Sequence, residues 1–141
     1  MAKEELFNVP LLKQAIKLYG AYPVKRSQSD RSAIRAALKV LENGWIAGIF
    51  LDGTRSRDGR IHRPKLGAAL IAAKAGVPII PVSLWGTEKI ITKNSLIPRS
   101  IPITIRIGEV IEPPRSTKKE ELQAVTDRCA AIINSLHDLG R

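Results

Sequence analysis

Trp45-Ile-Ala-Gly-Ile-Phe-Leu51, continued directly by Asp52-Gly-Thr-Arg-Ser56, is the stretch on which the fold turns. The first part is uncharged, has the length of a strand and lacks polar alternation. That is the pattern of a strand buried on both faces in the middle of a sheet. Asn43-Gly44 before it ends a helix, and the polar, glycine-bearing stretch 52 to 63 after it reads as a loop. A loop at the carboxyl end of a buried strand is where open α/β sheets place ligands.

Working toward the carboxyl end, Leu66 to Ala75 is a small-residue helix and Val77 to Leu84 an apolar strand. Pro78 and Pro81 are unusual for a central strand and predict either an edge position or a bulge facing a ligand. A basic loop, Gly86 to Ser100, leads to a strand with Ile101, Ile103, Ile105 and Ile107 on one face and Pro102, Thr104, Arg106 and Gly108 on the other. Such a half-exposed strand belongs near an edge. Thr117 and Glu120 fit a capping box for a last helix through Leu122, Val125, Cys129, Ile132 and Leu136.

Toward the amino end, Arg31 to Leu41 is a helix with Ile34, Leu38 and Leu41 on one side, entered from the cap-forming loop Ser27 to Asp30. Before it lie a short strand within Gly20-Ala-Tyr-Pro-Val-Lys-Arg26 and an amphipathic helix, Pro10 to Leu18, with Leu11, Leu12 and Ile16 at helical spacing. The alternation predicts one α/β domain over residues 1–141, a mixed, mostly parallel sheet with helices on both faces.

Length and composition agree. A chain of 141 residues, 44% hydrophobic, builds one core, and with only 4% aromatic residues that core is aliphatic. A formal charge of +10, from 23 basic and 13 acidic residues, attracts anions over a Debye length of about 8 Å in physiological salt. Nucleic acid, anionic lipid and phosphorylated substrates are the partner classes this admits. No recognition-helix pattern, stacking aromatics or basic cluster supports nucleic acid. The lone Cys129 has no disulfide partner and suits packing in a reduced compartment. No run reaches the roughly 20 apolar residues that span a bilayer, and Met1-Ala-Lys-Glu-Glu5 has no signal-peptide character.

Candidate chemistry gathers at strand ends. In Asp52-Gly53-Thr54-Arg55-Ser56, Gly53 permits a tight turn, Thr54 and Ser56 supply hydroxyls, and Arg55 supplies a planar fork that matches phosphate oxygens. An ordinary polar turn has the same letters. Arg26 ends the earlier strand similarly, either aimed into the same crevice or paired with Asp30. Ser83 offers a further hydroxyl near the Gly86-Thr87 turn. His62, flanked by Arg60 and Arg63, and His137, beside Asp138 in a frayed helix end, read as structural or solvated. No His/Cys/Asp/Glu cluster has zinc-like spacing, so no metal is expected.

Three ordered blocks resemble the second, third and fourth motifs of the glycerolipid acyltransferases: Gly20-Ala-Tyr-Pro-Val-Lys-Arg26, Phe50-Leu-Asp-Gly-Thr-Arg-Ser56 and Val77-Pro-Ile-Ile-Pro-Val82. Ala2-Lys-Glu-Glu-Leu-Phe7 with Pro10, and Lys65-Leu-Gly-Ala68, resemble segments that accompany them. The likeness runs over nearly the whole chain and is weakest after Ser100. It implies transfer of an acyl chain from acyl-CoA or acyl-carrier protein to the free hydroxyl of a 1-acylglycerol 3-phosphate (lysophosphatidic acid), giving phosphatidic acid. No other cofactor is implied. By the resemblance Arg26, Asp52, Gly53, Thr54, Arg55 and Ser56 bind the glycerol phosphate. Val77, Pro78, Pro81 and Val82 shape the acyl-donor site, and the protein works as a peripheral enzyme on the cytoplasmic face of an anionic membrane.

Two departures from the family pattern stand out. Leu51 and Asp52 occupy positions where the third motif normally reads Pro and Glu, which keeps the carboxylate but shortens it by one methylene and raises the prospect of a looser loop. The family's first motif, a His followed five positions later by an Asp that orients it as general base, has no counterpart. Gly67 stands five positions after His62, and five after His137 lies beyond Arg141. The expectation is an acyltransferase domain incomplete at its amino end and inert by itself. The competing expectation is a non-catalytic remnant that holds anionic lipid through Lys89, Lys93 and Arg99.

Overall fold

The computed structural model describes residues 2–3, 8, 13–14, 18, 23–24, 31–53, 56, 58–90 and 99–141. Contacts gather in two compact units, Met1–Phe50 and Leu51–Arg141.

In the first unit β1 (Ala2–Lys3) and β2 (Pro23–Val24) pair in parallel, Ala2 opposite Pro23 and Lys3 opposite Val24. Helix α1 (Arg31–Glu42) buries Ala33 and Ala37, with Ile34, Leu38 and Leu41 half-buried beside them. The expected apolar side is therefore present, centred on its two small residues. The helix expected over 10–18 falls largely outside the described residues.

The run Trp45 to Leu51 departs from expectation. Residues 45–50 carry neither strand nor helix, and no described strand pairs with them. Trp45, Ile46 and Phe50 are 73%, 89% and 73% exposed, and only Leu51 is buried. The physical reason is that an apolar run records a need for a covering surface and does not itself supply one. Without ladder partners among the described residues, Trp45, Ile46 and Phe50 remain in solvent.

The second unit is built around Leu51, Ile111, Cys129 and Ala130, packed by Ile61, Ala68, Ile79, Val125, Ile132 and Ile133. Helix α2 (Gly67–Ala75) is almost all alanine and leucine or isoleucine, strong helix formers whose small side chains allow close packing. It buries Ala69, Ile71 and Ala72 and stops at Gly76, whose N–H returns to the Ala72 carbonyl. Strand β3 (Val82–Trp85) runs antiparallel to β4 (Thr104–Ile107), Val82 opposite Ile107 and Trp85 opposite Thr104. The intervening chain holds only a single turn of 3-10 helix, Thr87–Lys89, among its described residues.

An isolated bridge joins Ile79 to Ile111, and the Gly108 N–H donates to the Pro81 carbonyl at 2.9 Å. From that bridge to the Val82–Ile107 pair, three steps on one side face four on the other, so one extra residue is inserted between Ile107 and Ile111. The bulge lies on the strand opposite Pro78 and Pro81, not in the proline-bearing segment where it was expected.

Helix α3 (Lys119–Asp138) buries Leu122, Thr126, Cys129, Ala130 and His137 along one stripe. The Thr117–Glu120 capping box is not formed, because the cap residue is Lys118 and makes no side-chain cap bond. Ser116 fastens the entry instead: its Oγ accepts the N–H of the cap residue Lys118 at 3.2 Å and its own N–H donates to Glu121 Oε2 at 3.1 Å. Burial pushes the Cys129 thiol pKa up, consistent with the packing role expected for it.

The β3–β4 ribbon turns its polar side toward α3. Ser83 is buried, and Arg106 Nη1 donates to the Gly140 carbonyl at 2.6 Å. Close approach is possible because a Cβ on Gly108 would stand 2.6 Å from Ile132 Cγ2 and 3.2 Å from Leu136 Cδ1 of α3. Val82, Leu84, Ile105 and Ile107 consequently stand on the exposed face.

Candidate functional site

The loop after Leu51 is closed by its own first residues. Lys65 N–H donates to the Leu51 carbonyl at 2.8 Å, while the Asp52 carboxylate accepts two backbone N–H groups, Arg63 on Oδ1 at 3.2 Å and His62 on Oδ2 at 3.4 Å. Asp52 thus ties the beginning of the loop to its end. The shortened carboxylate reaches both amides. Gly53 has φ +65°, a conformation that favours glycine, and a Cβ there would meet only Lys65 Cγ at 4.0 Å. Ser56 is half-buried. Arg26, Thr54 and Arg55 lie outside the described residues.

The far side of the loop is fastened to the end of α3. Asn134 Oδ1 accepts the Ile61 N–H at 2.8 Å and Asn134 Nδ2 donates to the Ile61 carbonyl at 3.0 Å, so one amide side chain satisfies both backbone groups of Ile61. His137 Nε2 donates to the Asp58 carbonyl at 2.9 Å, and Arg60 pairs with Asp138. A carbonyl only accepts, so Nε2 carries the hydrogen. His137 is 7% exposed, and its Nδ1 has no hydrogen-bond partner among the described residues. Of its two readings, structural or solvated, the structural one holds, since the loop's backbone returns over the helix end and covers the ring.

His62 is exposed, as expected, but has a partner, with Nε2 2.9 Å from Asp58 Oδ2 and 3.0 Å from Oδ1. Hydrogen bonding from His62, with smaller help from the Arg60 amide, holds the Asp58 carboxyl below its ordinary value of 3.8. A depressed carboxyl stabilises the fold above the unfolded value and loses that contribution as pH falls through the folded one. Urea midpoints of the native chain and Asp58→Asn are expected to differ at neutral pH and to converge as pH falls below 3.8.

The Val77 to Val82 block is spread over different environments. Val77 is half-buried, Pro78 and Val82 are exposed, and Pro81 is buried. Ser83 is also buried, with no hydrogen-bond partner for its Oγ among the described residues. Of the basic loop, Lys89 Nζ lies 4.3 Å from the centroid of the Trp85 ring and the Arg99 N–H donates to the Ile90 carbonyl at 2.9 Å, while Lys93 is outside the described residues. Among the described residues no group of His, Cys, Asp and Glu is placed to hold a metal ion, and no helix is long and apolar enough to cross a membrane. Sequence reasoning missed Gly59, Asn134 and His137, which meet only through a contact spanning more than seventy residues of chain.

Comparison with known proteins places this geometry. The family model described as Acyltransferase matches residues 1–85. Over 141 aligned residues the chain is 38% identical to a 1-acyl-sn-glycerol-3-phosphate acyltransferase of Bacillus subtilis, covering 98% of this chain and 68% of that one. It is 36% identical over 97 residues to the chloroplastic 1-acyl-sn-glycerol-3-phosphate acyltransferase BAT2 of Brassica napus, covering 67% of this chain and 28% of that protein. The crystal structure of the 1-acyl-sn-glycerophosphate (LPA) acyltransferase PlsC from Thermotoga maritima superposes with a TM-score of 0.73 at 31% identity, over 98% of this chain and 55% of that one. The chain thus spans between about a quarter and two thirds of the length of these relatives. With its α/β architecture and its ordered motifs matched over most of its length, the chain belongs to the acyltransferase family.

Proposed function

We propose that residues 1–141 are part of one acyltransferase domain that binds the phosphate of a 1-acylglycerol 3-phosphate, the acceptor in acyl transfer from acyl-CoA or acyl-carrier protein to give phosphatidic acid. The observation that carries this reading is the loop closed by Asp52 on the amides of His62 and Arg63. Thr54, Arg55 and Ser56 fall within that loop in the sequence, inside the segment that the family model matches. A dianionic phosphate suits the fork of Arg55 and the hydroxyls of Thr54 and Ser56, because charge-assisted bidentate bonds are the strong ones; Arg26 is assigned to the phosphate on the resemblance alone. Asp52 contributes by holding the loop rather than by meeting the phosphate, since an anion beside an anion is unfavourable. Val77, Pro78, Pro81 and Val82 are assigned to the acyl-donor side on the resemblance alone.

The reaction also needs a base for the acceptor hydroxyl. The family's pattern of a His followed five positions later by an Asp has no counterpart at His62 or His137, and Nε2 of His137 is committed to the Asp58 carbonyl. The chain alone is therefore proposed to bind acceptor without turning it over. A net charge of +10 supports work at an anionic membrane surface, on its cytoplasmic face.

Calorimetry with a short-chain lysophosphatidic acid tests the reading. Binding by the native chain is expected to weaken about tenfold to a hundredfold in Arg55→Ala, the loss of a charge-assisted bond worth about 1.5–3 kcal/mol. Equal affinity of the two would refute the phosphate role, and salt-sensitive binding to anionic vesicles with no preference for lysophosphatidic acid would favour the lipid-holding alternative.

A further inference from the structure

We infer that Asn134 and His137, on the last turns of α3, are positioning residues that hold the loop beginning at Asp52 in its binding geometry, so that the carboxyl-terminal helix sets acceptor affinity. The inference rests on the acceptor reading above and adds residues 58–62 and the helix end to it. Two groups of observations carry it. Asn134 satisfies both the N–H and the carbonyl of Ile61, at 2.8 and 3.0 Å. The next residue, His62, and its neighbour Arg63 are the two whose amides close on Asp52.

The Asp52 clamp and the Asn134 clamp are therefore consecutive along the backbone, one on Ile61 and the other on His62 and Arg63. Moving Ile61 moves the amides that Asp52 grips. His137 fixes the same segment three residues earlier, through the Asp58 carbonyl at 2.9 Å, and its ring lies against Gly59. Packing alone does not require these polar bonds, because the core beneath is supplied by Ile111, Cys129 and Ala130.

The test compares Asn134→Leu, His137→Leu, His137→Gln and the control Ile132→Val in the full chain. Amide hydrogen exchange and lysophosphatidic acid affinity are read together. Asn134→Leu is expected to speed exchange at Ile61, His62 and Arg63 about tenfold, the loss of one net hydrogen bond, and to weaken binding about tenfold, with β3–β4 exchange unchanged. His137→Leu should act similarly. His137→Gln, which keeps an N–H donor, should restore affinity to within about twofold. Ile132→Val shaves the core side of α3 and should lower the thermal midpoint without changing affinity.

Faster exchange in Asn134→Leu with native affinity would overturn the inference alone. So would loss of affinity in Ile132→Val matching that in Asn134→Leu, which would make the effect one of global stability. Absence of binding by the native chain would overturn the acceptor reading and this inference with it.

Discussion

Gly59→Ala is expected to destabilise the second unit by about 2–5 kcal/mol, combining the strain of a side chain at positive φ with overpacking. Gly59 has φ +77°, and a Cβ there would overlap the His137 ring, 2.8 Å from Nε2 and 3.3 Å from Nδ1. The ring has little freedom to retreat, because it is buried and its Nε2 is bonded to the carbonyl of the preceding residue, Asp58. Either the loop lifts from α3 or the helix end unwinds. Urea denaturation followed by circular dichroism measures the loss. A change below about 0.5 kcal/mol, the ordinary surface value, would mean that the loop and helix are not in this contact in solution.

The other large effect belongs to Ile111→Ala, expected to cost about 2–5 kcal/mol through lost burial and a residual cavity. Ile111 is 2% exposed at the centre of the core formed with Leu51, Cys129 and Ala130. Its backbone exchanges both hydrogen bonds with Ile79 at 2.9 Å, which keeps the site from collapsing freely around the smaller side chain. The same measurement applies. Because Leu51 immediately precedes Asp52, acceptor binding should weaken along with stability.

Much of this was legible from local pattern. Helix α1 is announced by Ile34, Leu38 and Leu41, and helix α2 by its alanines and Gly76. Each of these signals acts within a few residues. Helix α3 was visible too, though its entry was not, because Ser116 and Thr117 offer the same hydroxyl and only the geometry selects Ser116.

The failures were failures of distance. Nothing in Trp45 to Phe50 reveals whether another element covers it, and hydrophobicity was read as burial. His137 stood between a structural and a solvated reading because its cover, the loop at Asp58 and Gly59, is remote in sequence. Of the candidate site, Asp52 and Gly53 were identifiable from their place after an apolar run, and the part Asp52 plays was not. A carboxylate that closes a loop on two amides and one that faces a substrate have the same letter.

The most direct measurement is acyl transfer from acyl-CoA to lysophosphatidic acid, followed as phosphatidic acid formed. The present chain would be compared with one joined in frame to an upstream segment carrying a His followed five positions later by an Asp. The expected result is product from the extended chain only, lost on replacing that His by alanine and strongly reduced in Arg55→Ala. Product from neither chain, or equal product from the present chain alone, would contradict a binding domain that depends on a base it does not contain.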